Sequence, residues 1–375
     1  LGNGACTRIA QALGRGDEEM VHRCTALCFW GSLEFGIVFA LICFVGQRAI
    51  LQLLGANEEM WFAARSYMLV LAAGAPLLLL NHTWASTLRG QGKVMISFIG
   101  SMIGTFGNIL LDPVFILGLN LGVGGAAMAT VLSNALAAGY YFMQSYARRC
   151  TLELHPRYAR NLTMLGDLLA LGLPNAVSTG LGGLAHTFSN RLLVGYGIAA
   201  VAAMGAVGKA TMLVTMVQMG LCMGVQPLLA YCCGEKNWRR LRSLVHKMLG
   251  LTLTLGVVLT AVLFAERESI IGLFLQDDAT AALGARLLIL HMLLGPFIGL
   301  YYLAINFLQA GGNAPAATLT SALRQGVLLI PLLYLLEDCF GLNGLAFAAV
   351  AADAVSMLVA GGLALRQYRR AANIM

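Results

Sequence analysis

An amide and a carboxylate one helical turn apart are the strongest candidates for chemistry in this sequence. Asn108 and Asp112 lie in an apolar stretch, so a helix places both side chains on one face. Pro113 follows and has no backbone N–H, which leaves a carbonyl of the preceding turn without its usual hydrogen bond. These are hard oxygen ligands, so we expect the site to bind a proton or Na⁺. The alternative is that Asp112 only caps a broken helix.

Four other ionisable groups lie inside apolar stretches, where charge is costly and often functional. They are Glu34, Lys209, Arg324 and Asp353. For Asp353 we favour an inter-helix hydrogen bond, because an internal repeat aligns it with the polar residue Asn134. Glu34 is either a protonated buried acid or faces a cavity. Lys209 either pairs with an acid or lines a water path, and Arg324 contacts either substrate or a structural partner.

Methionines recur at helical spacing in one of the apolar stretches. Met212, Met216 and Met219 fall at i, i+4 and i+7, so they share one helix face. Methionine adapts its shape, which suits a cavity for varied apolar ligands, although packing or lipid contact is the ordinary alternative. The predicted substrate cavity is lined by Glu34, Asn190, Met212, Met216, Met219 and Gln226.

No signature of an enzyme or of a metal centre stands out. The sequence has no Walker A motif, no H-E-x-x-H and no G-x-S-x-G, and its nine cysteines form no C-x-x-C pair. We expect a protein that is not an enzyme, holds no cofactor and binds no metal other than Na⁺ at Asp112. Any transport would then be driven by an ion gradient of H⁺ or Na⁺.

The elements that position these residues are expected to be membrane-spanning helices. Of 375 residues, 59% are hydrophobic and 11% are charged, and the mean hydropathy is +0.78. A soluble domain has about a quarter charged residues. About ten stretches are long enough to cross a bilayer. They lie near residues 25–46, 61–88, 94–118, 121–146, 165–195, 198–232, 243–265, 282–309, 315–336 and 340–364.

The basic residues predict the orientation in the membrane. If the first loop is cytoplasmic, 17 of the 24 Lys and Arg residues lie on the cytoplasmic side and five on the opposite side. We therefore expect a multi-pass protein of the bacterial inner membrane with a cytoplasmic C-terminus. The net charge of +7 then needs no nucleic-acid partner. The acidic, half-apolar segments 47–59 and 266–278 are expected to be short interfacial helices.

The chain contains an internal repeat. One constant shift superposes Gly4 on Gly224 and Pro76 on Pro296. Near the end of each copy the shift becomes one position shorter, so that Gly122 falls on Gly341. Each copy corresponds to an even number of spans, so both copies enter the membrane in the same sense. Parallel repeats of this kind occur among secondary transporters.

The repeat predicts an all-α integral membrane protein of two parallel-repeat six-helix bundles. Residues 1–150 form the expected N-lobe, lacking its first helix and most of its second. Residues 151–164 form a cytoplasmic linker, and 165–375 form the C-lobe. We expect about twelve spans in the full protein, of which about ten and a half are present here. We expect a piece with so much of one bundle missing to be inactive alone.

Several motifs are distributed along the whole chain. They are Arg8 with Leu13-Gly14-Arg15-Gly16-Asp17, Gly107-Asn108 to Asp112-Pro113, Gly172-Leu173-Pro174 through Asn190, Tyr196-Gly197, Lys209, and Gly224-Val225-Gln226-Pro227 into Gly234. In combination these motifs resemble the multidrug and toxic compound extrusion (MATE) family, and within it the bacterial MepA-like, DinF-related branch.

The resemblance implies roles for four residues. In the related branch, the cation site of the N-lobe joins an Asp of the first helix to polar residues of helices four to six. Matched by motif, Asp112 and Asn108 fall on the fifth-helix acid and its Asn. Thr130 falls on a sixth-helix Thr, and Asn81 is the match for the fourth-helix amide. Another branch uses acids of helices seven and ten, and residues 168–195 and 285–309 contain none.

The residues and the resemblance together predict a cation-coupled antiporter. We expect it to export small amphipathic organic cations by alternating access, as a monomer surrounded by membrane lipid. One alternative is a flippase for lipid-linked saccharides, whose cavity would need several cationic residues for pyrophosphate. Another is a non-transporting scaffold or receptor, for which replacing Asp112 would have no effect.

Overall fold

Helices make up nearly all of the regular structure in the computed structural model, which describes residues 1–53, 58–147, 149–159 and 162–372. Within these residues nine helices are long and apolar enough to cross a membrane, and a bent pair would make ten. No strand occurs in these ranges. The prediction of an all-α integral membrane protein is confirmed.

The first of two compact units comprises Leu1–Leu169. A π-helical turn, Val114–Gly118, extends α5, and a short 3-10 turn covers Pro156–Ala159. The helices of this unit are α1 (Gly2–Arg15), α2 (Glu18–Val45), α3 (Gln47–Leu53), α4 (Glu58–Gly90), α5 (Val94–Pro113), α6 (Gly122–Tyr146) and the beginning of α7 (Leu162–Val194).

The second unit comprises Ala170–Met375 and takes in the rest of α7. A 3-10 turn, Gly295–Phe297, precedes α12, and a π-helical turn, Leu323–Val327, separates α13 from α14. The helices are α8 (Ile198–Glu235), α9 (Trp238–Ala265), α10 (Arg267–Gly272), α11 (Asp278–His291), α12 (Ile298–Ala310), α13 (Ala314–Ala322), α14 (Leu329–Phe340) and α15 (Leu342–Ala372).

The backbone shows the internal repeat at the helix ends. Under the shift that relates the two copies of the sequence, both ends of α2 fall on the ends of α9. Each helix begins after a capping side chain, with the Met20 N–H donating to Asp17 and the Arg240 N–H donating to Asn237. Asp17 and Asn237 are themselves equivalent under the same shift. The same cap chemistry therefore starts the same helix in both units.

Left-handed backbone recurs at equivalent positions as well. Gly16 has φ 75° and Lys236 has φ 57°, while Gly92 has φ 74° and Gly312 has φ 81°. The members of each pair are related by the repeat, and each residue lies just after the end of a helix. A left-handed residue satisfies the last carbonyls of a helix, which explains why glycine occupies three of these four positions.

A close glycine–proline contact is also repeated. A Cβ on Gly36 of α2 would overlap the backbone of Pro76, and a Cβ on Gly256 of α9 would overlap the Pro296 carbonyl. The repeat relates the two glycines to each other and likewise the two prolines. Glycine at these positions lets α2 and α9 pack directly against the neighbouring proline-containing segments.

The predicted span 282–309 is not a single straight helix. The structure divides it into Asp278–His291 and Gly295–Ala310, which are bent by 46°. Pro296 has no N–H to donate to the preceding turn, and Gly295 has low helix propensity. The equivalent residues of the first unit are Ala75 and Pro76, and there α4 continues through the proline.

The segment after α6 packs against other parts of the first unit. Gln91 donates to the Thr151 carbonyl at 2.6 Å, and Trp30 donates to the Leu154 carbonyl at 3.1 Å. Burial of Glu153 would raise its pKa, but hydrogen bonds from the His155 N–H and from His22 outweigh burial and lower it. A role for residues 151–164 as an inter-lobe linker stays a prediction.

The two predicted interfacial segments contain short helices. The first holds α3 and the second holds α10. Residues 54–57 of the first segment lie outside the described residues. Placement of these helices in the membrane interface stays a prediction.

Candidate functional site

Polar side chains of three helices meet inside the first unit. Asn81 comes from α4, Asn108 and Asp112 from α5, and Thr130 and Asn134 from α6. All five are half-buried. Because α4 and α5 both pack on α6, these residues are brought within hydrogen-bonding distance across helices.

The five residues form a continuous chain of hydrogen bonds. Asn81 donates to Asn134 Oδ1 at 2.6 Å, and Asn134 donates to the Thr130 carbonyl at 2.8 Å. Asn108 Nδ2 lies 3.4 Å from Thr130 Oγ1 and 3.3 Å from Asp112 Oδ1. The structure thus brings together the four residues predicted as the cation-coupling site and adds Asn134.

The Asp112 end of this chain is loosely held. Its contact with Asn108 is longer than a typical N–H···O hydrogen bond of about 2.9–3.0 Å. Pro113 follows, and the backbone then forms a π turn in which the Leu119 N–H donates to the Val114 carbonyl. π turns are rare and are frequently found at functional sites. The carboxylate therefore retains lone pairs for an ion beside an irregular backbone.

The cluster has the chemistry of a small cation site. Asp112 supplies its one carboxylate, and amide and hydroxyl oxygens surround it. The side-chain oxygen of Asn81 is buried without a hydrogen-bond partner among the described residues. An unpaired buried acceptor is unfavourable, so a bound cation or water would stabilise it. No cluster of three His, Cys, Asp or Glu side chains suited to a metal ion occurs in the described ranges.

Asn134 was missed as a site residue by the sequence reasoning. It follows Thr130 by four residues, so one helix face presents both. That spacing is the signal that would have identified it. Glu34, in contrast, is exposed on α2 and is not part of the hydrogen-bonded chain.

A second site is a cavity of about 400 Å³ inside the second unit. Residues of α7, α8, α11, α14 and α15 contribute to its wall. Its lining comprises Gly182, Ala185, His186, Ser189, Asn190, Leu193, Met204, Gly205, Gly208, Lys209, Met212, His291, Leu329, Leu333, Leu345 and Ala349.

Two of the predicted cavity residues lie in this wall, namely Asn190 and Met212. Met216 is exposed and Met219 is half-buried farther along α8, outside the lining. The expectation for Gln226 is corrected, because its side chain is buried and donates to Gln309 at 2.8 Å. The Gln226 amide is hydrogen-bonded between α8 and α12 and does not line the cavity.

Lys209 faces this cavity, as one of its two predicted alternatives required. His186 and His291 also line it and were not identified from the sequence. A histidine within the apolar run of α11 was the available signal for His291. The Nδ1 atom of His291 is buried and has no hydrogen-bond partner in the part of the chain described.

Arg324 and Asp353 pair with each other. Arg324 donates from Nε and Nη2 to the two carboxylate oxygens at 2.6 and 3.2 Å. It also donates to the Tyr302 hydroxyl at 3.1 Å, and its guanidinium carbon lies 4.7 Å from the centre of the Tyr301 ring. This arrangement satisfies both charges within the unit and agrees with the structural alternative for each residue.

A protein-family model described as MatE matches residues 1–114 and 174–335. Among curated proteins, the multidrug export protein MepA of Staphylococcus aureus (strain MRSA252) is 29% identical over 361 residues. That match covers 96% of this chain and 80% of the relative. The MepA protein of Staphylococcus saprophyticus is 28% identical, with the same coverage.

Solved structures give the same fold. A crystal structure of MATE in the bent conformation superposes with a TM-score of 0.93 at 22% identity, covering 100% of this chain and 84% of that one. The Vibrio cholerae MATE transporter VcmN in its bent form superposes with a TM-score of 0.87 at 23% identity. Here the match covers 99% of this chain and 85% of the other. At these identities the likeness establishes the fold.

Proposed function

This chain belongs to the MatE family, and from that membership we propose that it exports drugs in exchange for H⁺ or Na⁺. The observation that supports this most directly is the hydrogen-bonded chain from Asn81 to Asp112. It contains one carboxylate, so one monovalent cation neutralises it. The names of its Staphylococcus relatives, multidrug export proteins, support the choice of small-molecule drugs as substrates.

Coupling follows from a difference in affinity between two states of the protein. A bound ion shifts a conformational equilibrium only by as much as it binds one state more tightly than the other. The 3.3 and 3.4 Å contacts of Asn108 leave room to tighten around an ion. We propose that closure around H⁺ or Na⁺ at Asp112 moves the π-turn segment of α5 and drives alternating access.

Organic cations are the proposed cargo. The first unit presents carboxylates at Asp112 and at exposed Glu34, whose negative charge suits a cationic drug. The lipid-linked saccharide alternative needs several free cationic residues. Arg324 is already paired with Asp353. Among the described residues this leaves Lys209 as the candidate cation that lines a cavity within a membrane-spanning helix and has no ion-pair partner. The geometry therefore favours drug export over the flippase.

The multi-pass helices place the protein in a membrane. We propose the bacterial inner membrane with a cytoplasmic C-terminus, from the distribution of Lys and Arg.

The test is ion-driven transport by wild type and by Asp112→Asn. Everted membrane vesicles contain equal amounts of each variant, made in the full-length protein that the repeat predicts. They are given a fluorescent lipophilic cation, with an imposed pH gradient and then a Na⁺ gradient. We expect wild type to accumulate the dye under one gradient, which identifies the ion. We expect Asp112→Asn to lose at least about tenfold in rate, because an amide carries no charge to neutralise.

Asp338→Asn is the matched control, because it removes the same group from an exposed position at the end of α14. It should transport like wild type. Equal transport by wild type and Asp112→Asn would show that this carboxylate does not couple the ion. Failure of wild type to move the dye under either gradient would count against export of cations.

A further inference from the structure

The cavity of the second unit is positively charged. Lys209, His186 and His291 line it, and no Asp or Glu is among its described lining residues. The carboxylate of Asp353 does not offset this charge, because it is neutralised by Arg324, whose Nε lies 2.6 Å from Asp353 Oδ1. The wall therefore carries a net positive charge even when both histidines are neutral. This charge does not suit the cationic cargo proposed above.

Lys209 has no ion-pair partner in the ranges that the structure describes. It lies within the membrane-spanning helix α8. Its side chain is exposed on the cavity wall, so a ligand can reach the ammonium, and an anion that enters the cavity is attracted by a charge that no acid compensates. His291 Nδ1 adds a further polar atom without a partner on the same wall.

The rest of the wall suits the apolar body of a ligand. Leu193, Leu329 and Leu333 line it, while Ser189 and Asn190 contribute a hydroxyl and an amide. The volume of about 400 Å³ is typical of sites for drug-sized molecules. Polar groups of this kind orient a ligand whose binding area is mainly apolar.

We propose that this cavity binds amphiphiles with a carboxylate head, which contacts Lys209, and a ring-sized apolar body. The cargo of the protein then includes organic anions as well as cations. The inference rests on the proposed export function only in treating the cavity as a ligand site. It is independent of ion coupling at Asp112.

The test compares two probes that differ in charge. The purified chain in lipid nanodiscs, with no ion gradient, is titrated with 2-naphthylacetate and with 2-naphthylethylammonium, and binding is followed by naphthyl fluorescence anisotropy. We expect the carboxylate to bind at least about tenfold more tightly. We expect Lys209→Gln to remove that preference, because the glutamine amide carries no positive charge to attract the carboxylate.

Three further variants separate charge from structural damage. Lys209→Arg should keep the preference, and Lys247→Gln on α9, outside the cavity, should leave it unchanged. Asn190→Asp adds a carboxylate to the wall and should weaken the anion while strengthening the cation. Equal binding of the two probes to wild type, or equal effects of Lys209→Gln and Lys247→Gln, would overturn the proposal.

Binding without a gradient also separates the two proposals. Carboxylate binding combined with failure of cation transport would count against the proposed function alone. Cation transport that depends on Asp112, combined with absent carboxylate binding, would count against the cavity proposal alone.

Discussion

At the scale of single residues, the molecule separates charges that are satisfied from charges that are available. Arg324 and Asp353 are satisfied, with side chains that are 11% and 21% exposed and two hydrogen bonds between them. Asp112 and Lys209 lack partners of opposite charge among the described residues. An unpaired charge in a membrane helix is the better candidate for binding an ion or ligand, because the ligand completes its solvation.

The Arg324–Asp353 pair gives a test of stability. Arg324→Leu or Asp353→Leu alone should reduce the free energy of unfolding by about 3–5 kcal/mol, because each leaves an opposite charge buried without a partner. The double variant should recover most of that loss, and thermal unfolding of the purified protein measures all three. If the double variant is as unstable as the sum of the single ones, the charges do not interact as the structure indicates.

At the scale of elements, the same packing device stabilises both units. Gly36 lies against Pro76, and Gly256 lies against Pro296. Each glycine brings a long helix close to a proline whose ring interrupts the helical hydrogen bonds. The outcomes differ, since α4 remains continuous and the equivalent span in the second unit bends by 46°. The repeat therefore keeps the contact while the local backbone varies.

Two glycines on α9 test this packing. Gly256→Ala should reduce the free energy of unfolding by about 1–3 kcal/mol, because its Cβ overlaps the Pro296 carbonyl. Gly250→Ala on the same helix meets nothing within 4 Å and should stabilise by up to about 1 kcal/mol through helix propensity. Thermal melting of both variants measures the two changes in stability. Similar melting temperatures for the two would show that the Gly256 contact can relax freely.

At the scale of the whole molecule, orientation in the membrane follows from charge. The positively charged loops are expected to be cytoplasmic, which places the turn between α14 and α15 on the opposite side. Cys339 lies just before that turn and is exposed, whereas Cys150 lies in the basic segment after α6. In the proposed topology the two thiols lie on opposite faces of the membrane.

Labelling of intact spheroplasts with a membrane-impermeant maleimide tests the orientation. We expect Cys339 to be labelled from outside and Cys339→Ala to abolish that signal. Cys150 should react only after lysis, because the segment that contains it is cytoplasmic in the proposed topology. Labelling of Cys150 in intact spheroplasts would show that the orientation is opposite to the one proposed.

The sequence by itself determined the membrane class, the helices and the repeat. Hydropathy, caps and glycine or proline positions are local properties, and they act in the same way wherever a helix packs. The spacing of Asn108 and Asp112 similarly predicted a shared face. Such signals can be read from neighbouring residues along the chain.

Only the tertiary structure decided which side chains meet. It paired Arg324 with Asp353 and Gln226 with Gln309, joined Asn81 to Thr130 through Asn134, and placed His291 in the wall that holds Lys209. Periodicity gives the face of a helix but not the neighbour that the face contacts. That neighbour depends on the rotation and tilt of each helix, which are set by packing over residues far apart in the chain.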